Sequence, residues 1–247
     1  MMNLKRVQLQ GLWLLTMMED SMLNLKTTGL WMAAMVLFGG LFAGFNTQAA
    51  EVMPVGEDPY KMIQRVAEST FKRIVDDQAL IDEDANYLKT VVREELMPYI
   101  KYKLVAKIVL GKTPVSRAEK EAYYKAFNEY LITTYATVFT KYTDQKVVFE
   151  APGNIKGKKV VTVKTRIIDG SRPDIHIDFK VRLNIRTGTW RAYDMVVEGI
   201  SMVNATKAEF RDLLRKKGGG ANFTQQLIEK SKAQIKKDNG GSRQDGE

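Results

Sequence analysis

The chain has 247 residues, 45% of them hydrophobic and 27% charged, with a formal net charge of +9. That length supports one large domain or two small ones with a sizeable core, and the mixture reads as globular. There is no cysteine and one histidine, His176. Disulfides, iron–sulfur ligation, cysteine zinc sites, thiol nucleophiles and multi-histidine metal sites are therefore excluded, and a Ser-His-Asp triad would have to use His176.

Residues Leu30 to Phe45 read LWMAAMVLFGGLFAGF, 16 uncharged and mostly apolar positions. That is shorter than a membrane span of about 20. Lys26 precedes the run, and the small residues Thr47 and Ala49 follow it. The pattern predicts a signal peptide over 1–50, cut near Ala49 or Ala50, against the alternative of a retained anchor. Glu19 and Asp20 are foreign to a basic leader, whereas a start at Met22 gives a conventional one. Residues 1–50 hold three cations and two carboxylates, so their removal would lower the net charge from +9 to +8. Export from a bacterial cell would place the mature chain in the periplasm.

Residues 51–237 are expected to form one domain, and the polar residues 238–247 a disordered tail. Asp58-Pro59 starts a helix, with Ile63, Val66, Ala67, Thr70, Phe71 and Ile74 at helical spacing through about Asp76. A second helical stretch runs from near Asp84 and is ended or kinked by Pro98. A third apolar segment stops at Gly111. Ser116 and Glu119 form a capping box for a long helix to about Tyr142. Its stripe carries Tyr130, Tyr135 and Phe139, a pattern that fits either a core edge or a groove meeting lipid or ligand.

From Lys146 the period becomes two. Segments KVVFEA and KKVVTVKTRII read as strands, with Ile167 on the second. In the third strand Ile175, Ile177, Phe179, Val181, Leu183 and Ile185 alternate with polar residues. The fourth is TWRAYDMVVEGISMV, Thr189 to Val203. Short connections predict an antiparallel meander. Thr206 with Glu209 predicts a capping box, Gly218–Gly220 a break, and Asn222 the cap of a last helix that reaches Ile235. The expected class is α+β: a four-stranded antiparallel sheet packed on several helices, cone-like as in NTF2-like folds, with an apolar cleft between sheet and helices.

No Gly-rich phosphate loop, G-x-S-x-G or HExxH motif is present. On a regular strand Asp194 and Glu198 would share the side of Trp190, Ala192 and Val196, about 13 Å apart, too far for a glycosidase pair. Asp194 alone is a candidate general base of a cone-fold isomerase or hydratase, set against a structural role such as capping a helix. His176 alternates onto the polar face and reads as a solvated residue. The aromatics lie on apolar stripes rather than among exposed cations, so no nucleic-acid partner is expected.

Three segments carry a resemblance: NYLKTVVREELMPYI (86–100), YYKAFNEYLITTYATVF (123–139) and GTWRAYDMVVEGISMV (188–203). Together they resemble the MlaC family, also called the toluene-tolerance family, of periplasmic phospholipid-binding proteins. The resemblance covers about Asp58 to Ile235; the N-terminal residues and the Gly218–Gly220 run depart from it. It implies a monomeric carrier, not an enzyme, with no cofactor beyond bound phospholipid as cargo. Its partners would be an outer-membrane lipoprotein–porin complex and the MCE-domain subunit of an inner-membrane ABC transporter. The lipid tails would lie in the cleft, against Tyr130, Tyr135, Phe139, Ile167, Ile177, Phe179, Val181, Tyr193, Met195 and Val197. Transport by such a carrier would maintain outer-membrane lipid asymmetry.

Overall fold

Asp58 opens the first helix, α1 (Pro59–Asp76): its carboxylate accepts the N–H groups of Tyr60 at 2.8 Å and Lys61 at 3.3 Å. Proline at the first helical position needs no such acceptor. The structure, a computed structural model, describes residues 54–141, 146–168, 173–216 and 218–236. The predicted signal segment, its cleavage site and the 238–247 tail lie outside the described residues.

A short helix α2 (Gln78–Glu83) follows, then α3 (Tyr87–Val91). The single helix expected up to Pro98 is instead three pieces. After α3 the chain widens into a π-turn, Val92–Leu96, and tightens into a 3₁₀ turn, Met97–Tyr99. Pro98 cannot donate to a helical ladder, so regular helix stops ahead of it. Helix α4 (Tyr102–Leu110) ends at Gly111. Helix α5 (Arg117–Phe139) starts from the predicted box: the Ser116 N–H donates to Glu119 at 2.6 Å, and the Glu119 N–H donates to Ser116 Oγ at 3.2 Å.

The sheet is a five-stranded antiparallel meander in chain order: β1 (Lys146–Phe149), β2 (Val160–Ile168), β3 (Ile175–Asn184), β4 (Thr189–Val197) and β5 (Ile200–Ser201). The expected fourth strand is thus two. Glu198 and Gly199 both adopt positive φ, at 46° and 79°, and reverse the chain between them. Two consecutive positive-φ residues are the pattern of a tight hairpin turn matched to sheet twist.

A β-bulge corrects the alternation expected for this strand. Lys180 pairs with Asp194, but Val181 pairs with Ala192, so Tyr193 is the extra residue. The pleat therefore flips at Tyr193. Trp190 and Ala192 join Met195 and Val197 on the face shared with Phe179 and Ile177, while Asp194 stays on the opposite face. Cross-strand rows on the inner face read Val161–Val181–Ala192, Val163–Phe179–Met195 and Thr165–Ile177–Val197.

Three more helices complete the described chain: α6 (Met202–Glu209), α7 (Arg211–Leu214) and α8 (Gly219–Ser231). Ser201, not Thr206, caps α6, and Thr206 lies inside it with its hydroxyl donating to the Met202 carbonyl at 2.9 Å. Likewise α8 begins at Gly219, with Asn222 already helical. The glycine run permits close approach: a Cβ at Gly219 would fall 2.6 Å from the Leu214 carbonyl oxygen. Ile235 lies beyond α8, buried in a stretch without regular secondary structure, and its N–H donates to Asn86 Oδ1 at 3.1 Å.

The core divides into three clusters. One joins α4, α5 and α8 through Val105, Val109, Tyr123, Phe127, Phe223 and Leu227, with Phe210 stacked on Phe223 at 4.5 Å. A second joins α1, α3 and α5 through Ile74, Leu88, Val91, Ile132 and Ala136, closed by Ile235. The third seats Met62, Ile63 and Val66 of α1 on the sheet at Val161, Val163, Val181 and Trp190.

Candidate binding cleft

The long helix α5 packs on α3, α4 and α8, whereas the sheet packs on α1 and, along β4, on α4 and α6. The two main walls of the molecule therefore reach each other chiefly through other elements. Leu96, in the π-turn, touches both the second and the third cluster and bridges the interval.

The apolar side chains beside this interval are left open. Ile167, Ile177 and Met195 lie on the inner sheet face yet stay half-exposed and outside the three clusters. Phe179 is half-exposed at the margin of the third cluster. From the helix side, Tyr135 and Phe139 are half-exposed at the margin of the second cluster, and Phe71 meets Phe139 edge-on at 6.0 Å. Tyr130 and the bulged Tyr193 pack at the margin of the first cluster, which brings α5 and β4 together there. A packed protein covers apolar inner-face residues of this size. Here they stay partly open on the two sides of the interval, aromatic on the helix side and, Phe179 apart, aliphatic on the sheet side.

The ten residues named from the sequence thus divide. Ile167, Ile177, Phe179, Met195, Tyr130, Tyr135, Phe139 and Tyr193 keep accessible surface. Val181 is fully buried in the third cluster and Val197 is 5% exposed, so both sit below the open surface. Phe71 and Leu96 border the interval as well and were not singled out. Phe71 stood in the apolar stripe of α1, but the placement of Leu96 depends on the π-turn, which has no local sequence signal.

Burial governs the phenols. It pushes both Tyr130 and Tyr135 up to about 12, with the negative charges of Glu209 and Asp194 respectively adding to the shift. Both stay neutral at any physiological pH.

Asp194 is a structural anchor. Its carboxylate accepts a hydrogen bond from Ser201 Oγ at 2.8 Å and from the Val203 N–H at 3.2 Å, and Lys180 Nζ lies 3.6 Å away. It therefore ties β4 to the start of α6, where free N–H groups favour an anion. Glu198 holds the turn instead: its carboxylate accepts the His176 N–H at 2.5 Å, and its own N–H donates to the His176 carbonyl at 3.0 Å. The His176 ring is exposed, with Nδ1 3.4 Å from Glu198.

A separate polar concavity of about 390 Å³ lies among Ser69, Lys72, Arg73, Asp76, Asp77, Tyr87 and Glu95. Arg73 fills it with ion pairs to Glu94 at 2.6 Å, Glu95 at 2.9 Å and Asp77 at 3.2 Å. Its charged lining suits water and ions rather than acyl chains.

A family model described as MlaC protein matches residues 64–229. The chain belongs to the MlaC family. An MlaC relative from Haemophilus influenzae, the intermembrane phospholipid transport system binding protein MlaC, is 33% identical over 164 residues, which span 65% of this chain and 76% of that protein. A solved structure of a phospholipid-binding protein from Ralstonia solanacearum, in complex with a phospholipid, superposes with a TM-score of 0.63 at 19% identity. It covers 71% of this chain and 97% of its own, a likeness of fold. The MlaC match takes in the first cluster whole and the other two apart from Met62, Ile63 and Ile235.

Proposed function

We propose that this chain is a periplasmic phospholipid carrier. It holds acyl tails between α5 and the inner sheet face and shuttles glycerophospholipid between outer- and inner-membrane complexes, which maintains outer-membrane lipid asymmetry. The observation that carries the reading is the half-exposed apolar lining of the interval between α5 and the sheet. Membership of the MlaC family and the name of the Haemophilus relative support it.

The energetics set what a carrier must do. Two acyl chains present about 30 methylenes, and leaving them in water costs on the order of 20 kcal/mol. A soluble shuttle must therefore enclose nearly all of the tail region. Met195 beside Phe179 gives the wall a side chain that repacks for tails of different length. The lining residues of the proposal are the eight open ones above, with Val181 and Val197 supporting them from beneath.

The same proposal includes export by a cleavable signal cut near Ala49 or Ala50. It also includes exchange with a lipoprotein–porin complex at the outer membrane and with an MCE-domain subunit of an ABC transporter at the inner one. The alternative, an enzyme with Asp194 as general base, has weaker support because fixed donors already occupy that carboxylate.

The test is mass spectrometry of protein purified from a bacterial host, under native and then denaturing conditions. Co-purified phospholipid in a fixed stoichiometry is expected. Protein that arrives empty, and stays empty after incubation with phospholipid vesicles, would overturn the reading.

A further inference from the structure

The end of the sheet away from the half-exposed lining carries a second surface. It is built from the loop 154–159 ahead of β2 and the β3–β4 turn, 185–188. The Leu183 N–H donates to the Lys159 carbonyl at 3.0 Å, which ties loop and hairpin together. Asn184 closes the turn: its carbonyl accepts the N–H groups of Thr187 at 3.2 Å and Gly188 at 2.8 Å, and its Oδ1 accepts that of Arg186 at 3.1 Å. Ile185 and Arg186 are therefore held at the tip.

Charge and apolar exposure coincide there. Lys156, Lys158, Lys159, Arg182 and Arg186 are all exposed, and none of them forms an ion pair among the described residues. No Asp or Glu occurs over 151–160 or 179–193. The nearby carboxylates of Glu57 and Asp58 are already engaged, the first with Arg65 at 2.9 Å and the second with the opening N–H groups of α1. Ile185 is 70% exposed at the tip; Val160, paired with Arg182, and Val55, lying against Gly188, are exposed beside it.

This composition discriminates between partners. Protein interfaces are depleted in lysine and anchored by aromatic side chains. Here three lysines crowd one loop, and neither loop nor turn contains an aromatic residue. Aliphatic side chains on a projecting tip, ringed by long cations, suit a lipid surface instead: the apolar tip enters the headgroup layer while Lys and Arg meet the phosphates.

We infer that this end of the sheet docks the protein on an anionic phospholipid bilayer, with Ile185 inserted and the five cations on the headgroups. Along β2, Ile167 lies seven residues from Val160, about 23 Å at the strand rise. The contact therefore holds the half-exposed lining off the bilayer and is a tether, not the route by which lipid enters. It goes beyond the carrier reading and does not depend on it.

Purified protein is sedimented with vesicles of phosphatidylcholine alone or mixed with phosphatidylglycerol. Binding to the mixed vesicles only, lost as salt rises to about 0.5 M, is expected. The triple substitution Lys156→Gln, Lys158→Gln and Lys159→Gln should weaken it about a hundredfold. Ile185→Ser, which leaves the charge unchanged, should weaken it about tenfold. A charge-matched control on the exposed Lys107, Lys112 and Lys125 should bind nearly as wild type does. All variants should keep the wild-type melting temperature and the same bound lipid by native mass spectrometry, because these side chains lie outside the core and the cleft. A control that loses as much as the triple, or an Ile185→Ser protein that binds fully, reduces the effect to adsorption of a basic protein and overturns the inference. Wild type that ignores anionic vesicles overturns it as well, and if the triple substitution then slows only lipid exchange with membrane complexes, the surface belongs to an acidic protein. Protein that docks yet never carries lipid leaves the inference standing and overturns the carrier reading.

Discussion

Asp194 illustrates how a carboxylate in an apolar strand is retained. Its side chain is 8% exposed, and Ser201, Val203 and Lys180 supply the partners that burial otherwise denies it. Replacing it by alanine leaves the Val203 N–H and the Ser201 hydroxyl without their acceptor and Lys180 without its counter-ion. Asp194→Ala is expected to lower unfolding free energy by about 2 kcal/mol, measured by urea denaturation. If lipid uptake survives once the protein is folded, the residue acts on the frame rather than on the cargo. The phenols make a pH prediction at the same scale. Tyr130 and Tyr135 titrate near 12 in the fold against 10 in the unfolded chain. Below pH 10 both states hold the protons and nothing changes. Between about pH 10 and 12 the unfolded chain ionises first, so stability falls as pH rises. Following unfolding and phenolate absorbance together across that range checks it, and Tyr135→Phe should shrink the fall.

Among the elements, the end of α7 and the start of α8 meet at a backbone contact that admits no side chain. A methyl at Gly219 would have to displace the Leu214 carbonyl, which is main chain and cannot swing aside. Gly219→Ala is therefore expected to cost about 2 kcal/mol, read from the denaturation midpoint. The sequence showed this run only as three glycines and suggested a break. Close packing of one backbone on another leaves no mark beyond the glycine itself, so the helix start was misplaced by four residues. The cap at Ser116, the proline start at Pro59 and the alternation in β3 were legible because each rests on neighbours within a few positions. The bulge at Tyr193 was not, since it is set by how β4 pairs with β3 and meets the α4–α5–α8 cluster. The π-turn before Pro98 was hidden in the same way.

At the scale of the molecule, element order pointed to the α+β class and the segments 86–100, 123–139 and 188–203 to the family, and most candidate lining residues fell beside one interval. Which of them stay open was not readable. Val181 and Ile177 look alike in sequence, two pleats apart on one strand, yet α1 covers the first and leaves the second bare. Burial of this kind is decided by where a helix ends, not by the strand's own pattern. The packing also sets an order of events. The cluster around Val91 and Ala136 receives Ile235, and Asn86 receives the N–H of that same residue. Helix α5 likewise rests on α8. A chain threaded across a membrane N-terminus first therefore emerges with helices whose partners have not yet arrived. The second cluster is complete only when residue 235 is available, so in any chain that emerges N-terminus first this part of the core closes last.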